Sequence, residues 1–488
     1  MLFEPLFTHA QRQPQNIAII DDRGQYTYQQ LAAMAAGLGL YLSMQTRKPR
    51  VGLLLPAGAG FVASFYGSLL ASKTVVPINF LLGDKEISHI IKDSEIDTVV
   101  TIPLLAGRLK DMELNVVDLT QLPQTPPAIQ PHFPQPSAED VAVLLYTSGT
   151  SGLPKGVLLT YGNFQSDVDA AIQHAALQHG HVFLGVIPLF HSFGITAMML
   201  APIQLGATII YMARFSAVGA LNAIRQHKVS LMFGVPSMYA AMLRLKDAKR
   251  EDFASIYAMI SGAEPLPQSL REAFLQRYGV HLYEGYGLTE TSPVVTLNVP
   301  QIHRPGSVGK PVPGATVKIV DDNDNALPNE QIGEIWLKGP MIMKGYHNLP
   351  KETSDTLTGD GHFKTGDLGK IDSDGYLHIT GRKKEMIIVA GEKAYPREIE
   401  DVLMAHPAVA EAAVLGKKDA SRGEVIAAFI IPKEGQSPKL DELRDFCRTH
   451  GLAQWKIPRD IQIVPDLPRS PTGKVLKREL AAKLATIV

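Results

Sequence analysis

A multi-subdomain α/β fold is predicted for this 488-residue chain by three features: a length beyond what one hydrophobic core organises, strand–helix–strand order through the first part, and two later changes of pattern. The alternation starts with Val51 to Leu55, a helical pattern from Phe61 to Ser72 and a second β-branched run from Thr74 to Ile78. Such order implies a large N-terminal domain of parallel-rich sheets covered by helices. Gln121 to Ala138 is rich in Pro and Gln, lacks apolar periodicity and reads as a surface connector. Val141 to Tyr146 then reads as a buried strand. From about Gly306, short strands broken by Gly, Pro, Asp and Asn turns predict a β-rich subdomain, through Asp321 to Asn325 and Gly333 to Leu337. Beyond Lys384 the order strand, helix (Pro396 to Met404), strand, strand, helix (Leu440 to His450) predicts a small α+β domain. The expected division is 1–383 and 384–488.

Composition excludes several function classes. Lys plus Arg (47) and Asp plus Glu (48) nearly cancel, which argues against nucleic acid or an anionic membrane as the main partner and leaves only local, peripheral membrane contact open. The single cysteine, Cys447, allows no internal disulfide or thiol metal cluster and fits a reducing cytoplasm. The start, Met1 to Pro5, has no basic and apolar signal pattern, so a cytoplasmic location is expected. Val182 to Ala213 contains no Asp, Glu, Lys or Arg and is long enough to span a bilayer. Pro188, Pro202 and Gly206 interrupt it, so it reads as strand, loop, helix (Ile195 to Gln204) and strand (Ala207 to Tyr211) within the domain.

The most informative stretch runs from Thr147 to Gly156. Its hydroxyl residues and glycines, Thr147, Ser148, Gly149, Thr150, Ser151 and Gly152, followed by Lys155, suit a loop whose N–H and O–H groups close around a polyphosphate. It departs from the G-x-x-x-x-G-K-[ST] pattern because Pro154 takes the place of the second glycine. Other signals read as ordinary structure. Gly58 to Ala63 matches a loose dinucleotide-binding pattern, yet Ile78-Asn79-Phe80 provides no acidic residue at the end of the next strand. His174, His179 and His181 lack further ligands nearby and read as solvated helix-end residues. Asp321 to Asn325 starts like a calcium loop without its terminal glutamate and reads as a tight turn.

The Thr147–Gly156 loop resembles the signature of the adenylate-forming superfamily, which includes acyl-CoA synthetases, firefly luciferases and the adenylation domains of peptide synthetases. Further motifs follow in the family's order: Pro188 to Gly194, Ser261 to Leu266, Tyr286 to Glu290, Thr365 to Asp367, Gly381-Arg382 and Pro471 to Lys474. The resemblance covers nearly the whole chain. It implies ATP, Mg²⁺ and coenzyme A as reactants and catalytic roles for Lys474, Thr289, Glu290 and His191. In similar enzymes the lysine matching Lys474 bridges the carboxylate and the α-phosphate, which fits the need for cationic charge where two anions meet. Glu290 looks like the Mg²⁺ ligand and Thr289 a donor to the α-phosphate. Asp367 and Arg382 resemble ribose contacts, while Gly262, Ala263, Glu264, Glu284, Gly285, Tyr286 and Gly287 would flank the adenine and the acyl carbonyl. The resemblance further implies that the small domain is mobile about Lys384, and that Gly391 borders the channel for the pantetheine arm.

The resemblance also bears on the substrate. Similar enzymes that activate amino acids place an aspartate just after the motif matching His191 to pair with the substrate ammonium; the Val182–Ala213 segment has no acid, which argues against an α-amino acid. Phe193, Met198, Met199, Phe233, Gly234, Val235 and Pro236 are the candidate acyl pocket, with core packing as the alternative for each. The Tyr283–Glu290 and Gly381–Ile388 stretches look especially similar to bacterial medium- and long-chain fatty acyl-CoA ligases. An alkyl acid and coenzyme A are therefore expected, with an aryl acid or an acyl carrier protein as alternatives. The presence of Lys474 and Glu290 argues against a non-catalytic binding homologue.

Overall fold

The computed structural model describes residues 1–121, 133–147, 153–419, 421–469 and 475–486. It has a large N-terminal domain built on three sheets and a small C-terminal domain built on one. The first sheet has nine strands, whose central run is Leu282–Gly287, Ala258–Ser261, Leu231–Gly234, Val182–Gly185, Thr208–Tyr211 and Ile17–Asp21, all parallel. Their near-continuous apolar sequences suit strands covered on both faces. The antiparallel strand Val294–Leu297 flanks Leu282–Gly287. A seven-stranded sheet contains Arg50–Leu54, Thr74–Pro77 and the antiparallel pair Val141–Thr147 and Lys155–Thr160.

The turn-rich region forms a four-stranded sheet of Thr316–Val320, Gly333–Lys338, Phe363–Ile371 and Leu377–Arg382. In the small domain, Ile387–Val389, Gly423–Pro432 and Val409–Asp419 pair antiparallel and Asp460–Ile463 joins them in parallel, with helices Pro396–Ala405 and Leu440–Thr449 against the sheet. Cys447 is fully buried in that core.

The helix Tyr161–His174 is fixed at its N-terminal end. Thr160 and Asn163 form a reciprocal capping box, and the Asn163 amide donates to the carbonyls of Pro340 and Ile342 at 2.8 Å each. The Gly58–Ala63 pattern, read from sequence as ordinary structure, opens the helix Ala59–Leu70, whose Ala59 N–H donates to Asp21 Oδ2 at 2.9 Å. A protein carboxylate thus occupies the helix terminus that a phosphate would use. Asp321 accepts from the N–H groups of Asn323 and Asn325, the tight turn expected from sequence.

Three readings need adjustment. The helix expected from Ile195 starts at Ser192 and carries a π-helical turn, Thr196–Leu200, before Ala201–Leu205. Pro202 has no N–H to give the carbonyl of Met198, and the Tyr211 hydroxyl donates to it instead at 2.5 Å. In the connector, Phe133 packs edge-on against Phe7, with centroids 4.9 Å apart, so its described end is anchored to the core. His174 and His181 are only partly exposed: a ring N–H of His174 donates to the Leu297 carbonyl at 2.9 Å, and His181 pairs with the Ser230 hydroxyl at 2.9 Å. No group of three metal-ligating side chains occurs among the described residues, and no helix there is long and apolar enough to cross a membrane.

Candidate active site

The C-terminal ends of the parallel strands open into one cavity of about 1030 Å³. Strand alternation decides which side chains face it. Leu231, Phe233 and Val235 line it from one strand and Ala258, Ile260 and Gly262 from the next. On the opposite side stand Ala171 of the helix Tyr161–His174 and Ala175 just past its end, with Thr196, Ala197 and Ala201 of the π-containing segment. Two glycines lie at close approaches, and the second is required by its contact. A Cβ on Gly262 would lie 3.1 Å from the Phe193 ring, and one on Gly287 would lie 1.7 Å from the Pro293 carbonyl oxygen. Ala263, between the two walls, adopts φ +67°, a left-handed conformation that costs a non-glycine residue roughly 1–2 kcal/mol. Such strain concentrates at binding sites.

Charge is partitioned along the cavity. Lys155, Glu264, Glu290, Lys364, Arg382, Lys383 and Lys384 all line its outer end. The arm beneath the Phe193 ring contains no charged side chain among the described residues. Glu290 accepts from the Tyr346 hydroxyl at 2.8 Å, and burial raises its pKa above the usual carboxylate value. No Lys or Arg forms an ion pair with it among the described residues. A desolvated hard oxygen donor without a contacting cation fits a magnesium ion, which takes one or two carboxylates and completes its shell with phosphate oxygens and water. When bound, that ion supplies charge neutralisation at the phosphates. Arg382 Nε pairs with Asp367 Oδ1 at 3.0 Å, and the Tyr286 hydroxyl donates to Asp367 Oδ2 at 2.7 Å. Lys155 Nζ lies 5.9 Å from the Tyr346 ring centroid.

Most of the residues singled out from sequence converge here. Thr147, Lys155, His191, Phe193, Phe233, Val235, Gly262, Ala263, Glu264, Gly285, Tyr286, Gly287, Thr289, Glu290, Arg382 and Lys384 line the cavity. Thr147 and Lys155 are the last paired residues of an antiparallel hairpin, so the Ser/Thr/Gly loop joins two strands rather than a strand and a helix. Ser148, Gly149, Thr150, Ser151, Gly152 and Lys474 lie outside the described residues. Asp367 stands just behind the wall, held by its two partners.

The acyl-pocket expectation is corrected at four positions. Met198 is fully buried in the core because the π-turn presents Thr196, Ala197 and Ala201 to the cavity instead, and Met199 is buried with it. Gly234 faces the opposite side of its strand, where the Tyr239 ring would lie 3.1 Å from a Cβ; Pro236 is likewise outside the wall. Glu284 also faces away, accepting from the Leu266 N–H at 3.1 Å and pairing with Arg271 at 3.3 Å. Gly391 lies outside this cavity, in the hairpin turn between Ile387–Val389 and Glu392–Ala394, where Ala390 and Gly391 have φ +52° and +88°. The turn itself therefore favours glycine there. Tyr346 was not legible as a site residue: it lies 56 residues from Glu290 and belongs to no local motif.

Lys384 sits in the turn Lys383–Glu385 that follows the last strand of the β-rich sheet, and burial lowers its pKa. Next to it, Lys383 pairs with Glu334 at 3.0 Å, and Lys393 in the small domain pairs with Asp322 at 3.0 Å.

His191 is enclosed, with Nε2 unpartnered among the described residues, and burial lowers its pKa to about 4. An unfolded histidine titrates near ~6.5, so between these values the unfolded chain holds a proton that the folded one refuses. Stability should therefore fall as pH drops from about 6.5 toward 4, by up to about 1.4 kcal/mol per pH unit from this group. Urea titrations of His191→Asn should show a flatter acid limb than wild type; identical slopes would show that His191 does not carry this effect.

A cavity with a cation-lined outer end over an uncharged arm, below a sheet's strand ends and beside a small domain, defines an enzyme that joins an acid to a nucleotide. The comparisons with known proteins agree. The AMP-binding enzyme family model matches residues 6–347, and the model of the AMP-binding enzyme C-terminal domain matches 398–474. The chain belongs to the AMP-binding enzyme family. It is 33% identical to a long-chain-fatty-acid–CoA ligase of Bacillus subtilis strain 168, over 96% of this chain and 92% of that protein. It is also 33% identical to a feruloyl-CoA synthase of an Amycolatopsis species, over 93% of each. Among solved structures, ATP-bound MatB from Rhodopseudomonas palustris superimposes with a TM-score of 0.92 at 28% identity, covering 99% of this chain and 98% of that one. Adenylation followed by transfer to coenzyme A, using ATP and Mg²⁺, is the chemistry of this class of acyl- and aryl-CoA ligases.

Proposed function

We propose that this enzyme activates a medium- or long-chain fatty acid as its acyl-adenylate and passes the acyl group to coenzyme A, releasing pyrophosphate and then AMP. The observation that carries this reading is the uncharged arm, which continues from the cation-lined end past Gly262 and, among the described residues, offers no charged side chain to pair with an ammonium or second carboxylate.

In this reading the acid's tail occupies the arm and its carboxylate stands at Gly262 and Ala263, beside the nucleotide. The Ser148–Gly152 loop and Lys155 embrace the phosphates, and Thr289 donates to the α-phosphate. Glu290 holds the metal ion. Lys474 places positive charge between the carboxylate and the α-phosphorus, where negative charge builds during attack. Asp367 has acceptor capacity left beyond Tyr286 and Arg382, so it can take up ribose hydroxyls. Ala263, Glu264, Tyr286 and Gly287 flank the adenine, and His191 closes the site over the acyl carbonyl. The small domain, 384–488, turns about Lys384 so that the Gly391 hairpin replaces Lys474 at the acyl carbonyl for thiol attack.

AMP release measured over saturated acids of graded length, benzoates and cinnamates, with coenzyme A or a holo acyl carrier protein, tests this. The highest specificity constants are expected with an alkyl acid and coenzyme A. A preference for cinnamates, as the feruloyl-CoA synthase relative would suggest, or for the carrier protein, would overturn the proposal.

A further inference from the structure

We infer that the arm is a closed tunnel measured for about ten carbons, and that Ala175 and Ala258 set its length. This rests on the proposed assignment of the arm to the acid's tail and goes beyond it by fixing a chain-length class and the residues responsible. The cavity wall follows two neighbouring strands from their C-terminal to their N-terminal ends: Val235, Phe233 and Leu231 on one, Gly262, Ile260 and Ala258 on the other. From Gly262 to Ala258 is four residues, a depth of about 13 Å at ~3.3 Å per residue. A saturated chain with C–C bonds of ~1.5 Å advances about 1.25 Å per methylene, so this depth takes about ten.

The far end is walled mainly by buried residues, with half-buried Leu177 and Pro300 beside them. Leu231, Phe183 and Val299 are fully buried there, and Ala258 and Ala175 are 3% and 4% exposed. It is also held in place. The Tyr257 hydroxyl donates to the Ala175 carbonyl at 2.8 Å and accepts from the Gln301 amide at 2.7 Å. The His174 ring donates to the Leu297 carbonyl at 2.9 Å, tying the end of the Tyr161–His174 helix to the strand beside it. A floor pinned by these bonds gives a sharp length limit rather than a gradual one. Ala258 and Ala175 stand on opposite walls at this floor, and their methyl groups leave the last stretch open. Leucine at either position adds three carbon atoms and displaces about as many methylenes of the tail.

Pyrophosphate exchange, which reads adenylation without the second half-reaction, is measured with even-numbered acids from C6 to C16. For wild type, specificity constants should rise up to about fourfold per methylene and break near C10 to C12. Ala258→Leu and Ala175→Leu should each raise the C6-to-C10 ratio of specificity constants by tenfold or more, moving the break to shorter acids. Thermal melts identify folded variants, and either one decides. Wild type that handles C16 as well as C10, or folded variants with an unmoved break, would overturn the inference while leaving fatty-acid activation standing. Activity on aryl acids alone would instead overturn the functional reading beneath it.

Discussion

Lys474→Ala is expected to lower acyl-adenylate formation by roughly a hundredfold or more, the scale of removing one key transition-state contact, while thioester formation from preformed acyl-adenylate survives. Attack of one anion on another needs a cation placed between them, whereas thiol attack on an adenylate carbonyl has no such need. The described chain just after Lys474 is anchored. Lys477, three residues on, pairs with Glu400 at 2.8 Å and with Glu385 at 3.3 Å, and Glu385 is adjacent to Lys384. The start of the last helix is thereby tied to the proposed hinge. Rapid-quench measurement of the two half-reactions checks the split; equal loss in both would remove Lys474 from its assigned role.

The second large effect is expected from Glu290→Gln. The amide keeps the size of the carboxylate and can still accept from the Tyr346 hydroxyl, so only the charge is removed. Adenylation should fall by about two orders of magnitude, and the Mg²⁺ concentration for half-maximal rate should rise. Melting temperature without ligands should hold or increase, because the variant no longer desolvates a carboxylate that lacks a contacting cation. An unaltered Mg²⁺ dependence would show that Glu290 does not serve the metal.

Much of this was legible in the sequence because the family motifs sit at strand ends, where local chemistry and global position coincide. Ser261-Gly262-Ala263-Glu264 follows a buried strand, and period-two alternation places Ala258, Ile260 and Gly262 on one face. Applied to the neighbouring strand, the same rule excludes Gly234 and retains Phe233 and Val235. What could not be read were features made by contacts distant in sequence. Met198 was misplaced because a π-turn shifts helical phase, and its stabilising partner, Tyr211, lies thirteen residues away. The alanines of the arm carry no chemical signal of their own; only the packing of a helix over the sheet gives them meaning. His174 looked like a solvent-facing helix end, yet its partner is the carbonyl of Leu297, 123 residues later.

If the floor beside Leu231 and Val299 is closed as inferred, the arm has a single doorway, and in the proposed reading that doorway opens under the nucleotide. An acid must therefore arrive tail-first before the threshold is occupied, and once ATP is seated it has no back exit. In that reading the activated acyl group would be in custody: it would leave only head-first, after pyrophosphate had departed and the small domain had uncovered the carbonyl to a thiol. Architecture of this kind imposes an order of traffic, and it protects a hydrolysable intermediate by confinement rather than by tight binding alone.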